Sequence, residues 1–227
     1  MDYFPVNLDI SGRNCIVIGG GKVALRKILA LLDCGGNVTV ISPKLEKKLT
    51  ELVQLQQIIW QNRTYQAGDL QNAFLVIAAT DDSVIQEAIF READNLNLLV
   101  NVADVPRLCT FILPATVRRG DLAISISTSG KSPALAKKLR KELEKQFGEE
   151  YDLLLQILGR LRPIVFAMNQ PHEKNKVYFE KLIHPDLITW ITKKNWAALQ
   201  DHFTSVLGFD IKIDTILPDG NSHSLDD

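Results

Sequence analysis

Gly19-Gly20-Gly21-Lys22-Val23-Ala24 fits the pattern glycine, any, glycine, any, any, glycine or alanine. Before it, Asn14-Cys15-Ile16-Val17-Ile18 is mostly apolar and reads as a buried strand; after it, Val23, Ala24, Ile28, Leu31 and Leu32 recur at helical spacing. A glycine turn between strand and helix suits a dinucleotide. Gly19 permits the tight turn, Gly21 lets the backbone approach a pyrophosphate, Ala24 keeps the helix near the sheet, and the helix N-terminus offers unpaired N–H groups to the anion. The competing reading is a turn that binds nothing. The acidic residue that ordinarily ends the second strand and bonds the ribose is replaced by Ser42-Pro43 after Ile41. Ser42 can still bond a ribose hydroxyl and Lys44 can tolerate a 2′-phosphate, so the spacing leaves NAD and NADP both open.

Thr80-Asp81-Asp82 follows the apolar run Leu75 to Ala79, at the edge where open parallel sheets place ligands; charge pairing at a helix N-terminus is the plainer role for the two aspartates. Asp104, after Asn101-Val102-Ala103, projects from the same edge and is a candidate proton acceptor, tuned by partial burial. Its rival role is to cap a turn before Pro106. The polar segment Thr128-Ser129-Gly130-Lys131-Ser132-Pro133 leads into a helix and suits either a carboxylate ligand or a plain connection with Ser132 as N-cap. Arg118-Arg119 and the helical set Lys137, Lys138, Arg140, Lys141 and Lys145 form a local basic region, which is a solvated face unless it meets an acidic substrate. His172, His184, His202 and His223 lack paired metal-ligand spacing, and Cys15, Cys34 and Cys109 read as small buried hydrophobes, so no metal site is expected.

These residues need a scaffold. The chain has 227 residues, of which 46% are hydrophobic and 23% charged, enough to bury a core and too apolar for a disordered protein. Lysine plus arginine (26) nearly cancels aspartate plus glutamate (27), which argues against a nucleic-acid partner. The odd cysteine count excludes a disulfide framework and favours a cytoplasmic setting; no signal peptide, anchor or membrane span is read. Apolar strand runs alternate with helical stretches, including Lys44 to about Gln56 and a helix through Val84, Ala88 and Ala93. This predicts an α/β fold with a Rossmann-type doubly wound parallel sheet over residues 1–113. Leu122 to Thr128 alternates as a further strand, and Ser132-Pro133 opens a helix whose stripe is Leu135, Leu139 and Leu143. A small α+β element over 114–147, a helical domain over 148–217 and a disordered tail over 218–227 complete the expected organisation.

Taken in order, Gly19 to Lys27, Ala78-Ala79-Thr80-Asp81-Asp82, Asn101 to Asp104, Phe111-Ile112-Leu113-Pro114-Ala115 and Ser127 to Ala136 resemble the siroheme synthase N-terminal region, the precorrin-2 dehydrogenase family. The resemblance covers roughly residues 1–150 and is looser beyond. It implies NAD-dependent removal of two hydrogens from precorrin-2 to give sirohydrochlorin, and leaves open Fe²⁺ insertion as a second activity with transient metal access. It also implies a homodimer, with the segment from about Pro114 to Phe147 as the dimerisation element and the active site between cofactor and partner subunit. In that picture Asp104 is catalytic, and Gly19, Gly20, Gly21, Lys22, Val23 and Ala24 hold the cofactor with Ser42, Thr80 and Asp81. Arg118, Arg119, Thr128, Ser129, Gly130, Lys131 and Ser132 meet the substrate's carboxylates, with Thr128 standing where some relatives carry serine. A non-catalytic NAD-binding regulatory module is the alternative reading; it would explain the glycine turn but not Asp104 together with the polar loop.

Overall fold

The computed structural model describes residues 3–218, which divide into two compact units meeting in sequence at Leu113 and Pro114. The expected disordered tail lies, apart from Pro218, outside the described residues, as does His223.

In the first unit, β1 (Asn14–Ile18), β2 (Asn37–Ile41), β3 (Ile59–Gln61), β4 (Leu75–Ala78) and β5 (Leu99–Val102) form one parallel sheet in the order β3-β2-β1-β4-β5. The helices α1 (Lys22–Leu32), α2 (Lys47–Gln54) and α3 (Ser83–Asn95) connect the strands. Successive strand side chains point to opposite faces. Cys15, Val17, Val38, Val40 and Ile77 therefore pack with Ala24, Ile28 and Leu31 of α1 and Leu49 of α2, while Ile16, Ile18, Val76, Val100 and Val102 pack with Ile89 and Ala93 of α3. Each such aliphatic side chain contributes about 1.5–3 kcal/mol when buried. Both faces are covered, so the strand ends stand on a rigid base. The strand order reverses at β1, which opens a crevice between the carboxyl ends of β1 and β4.

Helix α2 begins later than the expected Lys44. The Ser42 hydroxyl donates to the Lys44 carbonyl at 2.7 Å, and the Glu46 N–H donates to the Gly20 carbonyl at 2.8 Å. These bonds hold the segment extended against the glycine turn.

The second unit opens with a hairpin of β6 (Ala115–Arg119) and β7 (Leu122–Ile126). Strand β6 is absent from the sequence reading, which took Arg118-Arg119 only as basic residues. The turn Gly120-Asp121, with Gly120 left-handed at φ +52°, was its available signal. Helix α4 (Pro133–Gln146) starts as expected, Ser132 Oγ accepting from Leu135 N–H at 3.2 Å. Its leucine stripe is incompletely covered within the single chain, where Leu135 is 47% exposed and only Ala136 of the helix is buried. The helical C-terminal region comprises α5 (Glu150–Ala167), α6 (His172–Leu182), α7 (Leu187–Thr192), α8 (Trp196–Leu207) and α9 (Ile213–Ile216) around Ile157, Leu161, Leu182, Leu199 and Phe203. There His184 stacks on Trp190 with ring centroids 4.8 Å apart, and His202 lies 5.0 Å from His184. Burial pushes the His202 imidazole below its ordinary value. Among the described residues no helix is long and apolar enough to cross a membrane.

Candidate functional site

The carboxyl edge of the parallel sheet is built from backbone bonds that continue the strands. Gly19 N–H donates to Ile41 carbonyl at 2.9 Å, Ala79 N–H to Ile18 at 2.7 Å, and Ala103 N–H to Ala78 at 2.8 Å. The chain then leaves each strand at a defined height, and a cleft of about 470 Å³ lies above, lined by Gly21, Lys22, Val23, Ala79, Thr80, Asp81, Gln86, Ala103, Asp104 and Val105. That volume falls within the ordinary range for small-molecule sites. Gly21, Lys22, Val23, Thr80, Asp81 and Asp104, singled out on sequence grounds, thus face one space.

The glycine turn fits an anionic dinucleotide. Helix α1 begins after Gly21 with no side-chain cap and no acidic residue in its first turn, so its first N–H groups and positive dipole end are open to an anion. A Cβ at Gly21 would meet nothing within 4 Å, leaving the backbone approachable. Gly19 differs: at φ +113° a Cβ there would lie 2.2 Å from the Ala79 carbonyl oxygen. Gly20, which the motif treats as free, is equally constrained, since its Cβ would sit 2.1 Å from the Lys44 carbonyl oxygen. Ala24 is fully buried between α1 and the sheet.

Two expectations change here, and one choice between roles is decided. Ser42 is buried and spends its hydroxyl proton on Lys44, so it is no free ribose ligand. Asp82 takes the plainer role: its Oδ1 accepts from Val84 and Ile85 N–H at 2.9 and 3.1 Å and caps α3. Cys34 is exposed, unlike buried Cys15 and Cys109, whose thiols burial pushes upward. Sequence reasoning also missed Gln86, whose Nε2 donates to the Thr80 carbonyl at 2.7 Å and closes the α3 side of the cleft. Its helical position one turn past the cap was the only signal.

Asp104 stands in the left-handed region at φ +61°, between the end of β5 and a 3-10 turn at Pro106–Leu108. It is exposed rather than partly buried, and its carboxylate hydrogen-bonds no described residue, so the turn-capping role is not the one it plays. After the turn the chain folds back along β5. Thr110 N–H donates to Val100 carbonyl at 2.9 Å, Val102 N–H reaches Cys109 Sγ at 3.3 Å, and Asn101 Nδ2 donates to Phe111 carbonyl at 3.0 Å. This return segment covers the outer edge of β5 and fixes the base of Asp104.

In the second unit the segment from Thr128 to Ser132 is shaped by its own bonds. Ser129 N–H donates to Ser127 Oγ at 3.1 Å and Ser132 N–H to Thr128 Oγ1 at 3.2 Å, with Ser129 and Gly130 left-handed. Ser132 caps α4, while Lys131 is exposed. Arg119 is engaged: it donates to the Arg118 carbonyl at 2.8 Å and the Glu144 carbonyl at 3.1 Å, and its Nε lies 3.2 Å from Glu149. That makes it an anchor for the hairpin, not a free cation. Arg118 is exposed. On α4, Lys138 pairs with Glu142 and Arg140 with Glu144, as on a solvated face.

Comparison with known proteins follows this geometry. Residues 6–115 match the "NAD(P)-binding" family model, and residues 119–146 the "Sirohaem biosynthesis protein central" model. The siroheme synthase of Nitrosococcus oceani is 38% identical over 183 residues, 81% of this chain and 39% of that protein. Siroheme synthase 1 of Serratia proteamaculans is 39% identical over 200 residues, 88% of this chain and 42% of that protein. This chain therefore spans about two fifths of the length of those relatives. The solved structure of SirC, precorrin-2 dehydrogenase, superposes with a TM-score of 0.76 at 26% identity, covering 91% of this chain and 100% of that one. The chain carries an NAD(P)-binding type of domain followed by a sirohaem-biosynthesis central segment, and it belongs to the siroheme synthase and precorrin-2 dehydrogenase–sirohydrochlorin ferrochelatase family, matching its N-terminal region.

Proposed function

We propose that this chain is an NAD-dependent precorrin-2 dehydrogenase that forms sirohydrochlorin. The observation that carries the reading is the shared cleft: the open N-terminus of α1 and the free carboxylate of Asp104 line the same space. Gly19 to Ala24 would hold the cofactor's pyrophosphate, with Thr80 and Asp81 beside them. When bound, NAD supplies the acceptor for a hydride. The chain's own task is then to take the proton that leaves with it, so that two hydrogens depart and one new double bond closes in the macrocycle. Asp104 suits that task as a carboxylate at the cleft that hydrogen-bonds no described residue, held by a backbone fixed from both sides.

Precorrin-2 bears eight carboxylates, and the exposed Lys131 and Arg118, with the N–H groups of Thr128 and Gly130, are our candidates for receiving its arms. The partly covered leucine stripe of α4, with Leu135 exposed, supports a homodimer formed through the region 114–147.

Purified chain given anaerobic precorrin-2 and NAD should produce the sirohydrochlorin absorbance spectrum with equimolar NADH. NAD binding without conversion would instead mark a regulatory module. Preference for NADP together with indifference to precorrin-2 would mark a different reductase. Fe²⁺ added after the product forms reads the insertion step separately.

A further inference from the structure

Lys27 lies on α1 one turn beyond Val23 and plays no part in holding the glycine turn. Its side chain is half-buried, and Nζ lies 3.5 Å from Asn101 Oδ1, at the long end of a hydrogen bond. Asn101 is 6% exposed, and its other amide atom is committed to the Phe111 carbonyl at 3.0 Å, with Cys109 Sγ at 3.6 Å. The amide orientation follows: Nδ2 must face Phe111, which leaves Oδ1 for an external donor. Lys27 is that donor. A polar line thus runs from the return segment at Phe111, through the buried amide on β5, to an ammonium on α1.

Asp104 completes the set. It sits three residues past Asn101, on the turn that the return segment fixes. Burial, reinforced by neighbouring Arg26, pushes Lys27 below the ordinary lysine value, while Asp104 and Cys109 act in the opposite sense. Losing Lys27 would strand a buried acceptor in the strand that leads into the turn bearing Asp104.

We propose that Lys27 is a positioning residue for Asp104: its ammonium, bonded to the Asn101 amide, holds the end of β5 from which the turn bearing Asp104 departs, and so sets where that carboxylate stands at the cleft. The inference rests on the dehydrogenase reading above and deepens it. It assigns Lys27 no contact with substrate or cofactor.

The test is a double-mutant cycle with Asp104→Asn, on the full chain with precorrin-2 and NAD. Lys27→Met should lower kcat by about tenfold, with KM for precorrin-2 and Kd for NAD each within about threefold of the parent. Lys27→Arg, which keeps the charge and a donor, should recover most of the rate. In the Asp104→Asn background Lys27→Met should cost less than about twofold, because both changes remove the same function. Should Lys27→Met unfold the chain, Lys27→Gln against Lys27→Arg carries the same comparison. An equal loss in both backgrounds, an unchanged kcat, or Lys27→Arg as impaired as Lys27→Met would overturn the inference while leaving the dehydrogenase reading standing. Full activity of Asp104→Asn alone would remove both.

Discussion

A methyl group added at each glycine of the first turn meets a different environment. At Gly19 and Gly20 it runs into backbone oxygens at 2.2 and 2.1 Å, atoms that cannot move without shifting β4 or the segment before α2. At Gly21 it meets open space, and the φ of −89° suits any residue. Gly20→Ala should therefore destabilise the chain by about 1–3 kcal/mol. Gly21→Ala should melt within about 2 °C of the parent yet bind NAD about tenfold more weakly, because the added carbon stands where the pyrophosphate must approach. Thermal melts with NAD titration check the pair; equal NAD affinity in Gly21→Ala would refute the assigned approach. The sequence motif marked Gly19, whose φ of +113° bears it out, but had no means to mark Gly20, whose constraint comes from a carbonyl 24 positions away that only the folded β2–α2 segment brings near.

Among the elements, the parallel strands were the most legible. A strand buried on both faces must be a continuous apolar run, and Cys15 to Ile18 and Leu75 to Ala78 are such runs. Helix α4 was legible at its start, where Ser132-Pro133 is a local signal, and along its length to Gln146. A stripe of leucines says that a helix has an apolar face but not what covers it. Within one chain that face is only partly covered: Leu135 is exposed, and Leu139 and Leu143 are half-buried. If a second copy covers it, light scattering should give the mass of a dimer for the parent. Leu135→Glu should shift the chain toward monomer at low micromolar concentration while leaving the melting temperature of the parallel-sheet unit unchanged. A monomeric parent would contradict this role for the stripe.

For the whole molecule, the carboxyl edge of the sheet gathers residues from α1, β4, β5 and α3 that lie far apart in sequence. Strand order explains why: Asp104 and the glycine turn meet because β4 lies beside β1 and β5 beside β4. The alternation of strands and helices announced that edge, so Thr80, Asp81 and Asp104 were readable as neighbours. The pairing of Lys27 with Asn101, 74 residues apart, was not readable, because nothing local distinguishes a half-buried lysine on a helix from a solvated one. The fate of Ser42 was hidden for the same reason: whether a hydroxyl is free depends on where the next carbonyl turns.

The account stands on Asp104 as the group that removes the proton. Asparagine keeps the side-chain shape and tolerates the left-handed backbone at that position, so Asp104→Asn changes the chemistry with little else. Steady-state turnover of precorrin-2 with NAD should show kcat reduced by about 10²–10⁴-fold with NAD affinity within about twofold of the parent. Undiminished kcat in Asp104→Asn would contradict the account.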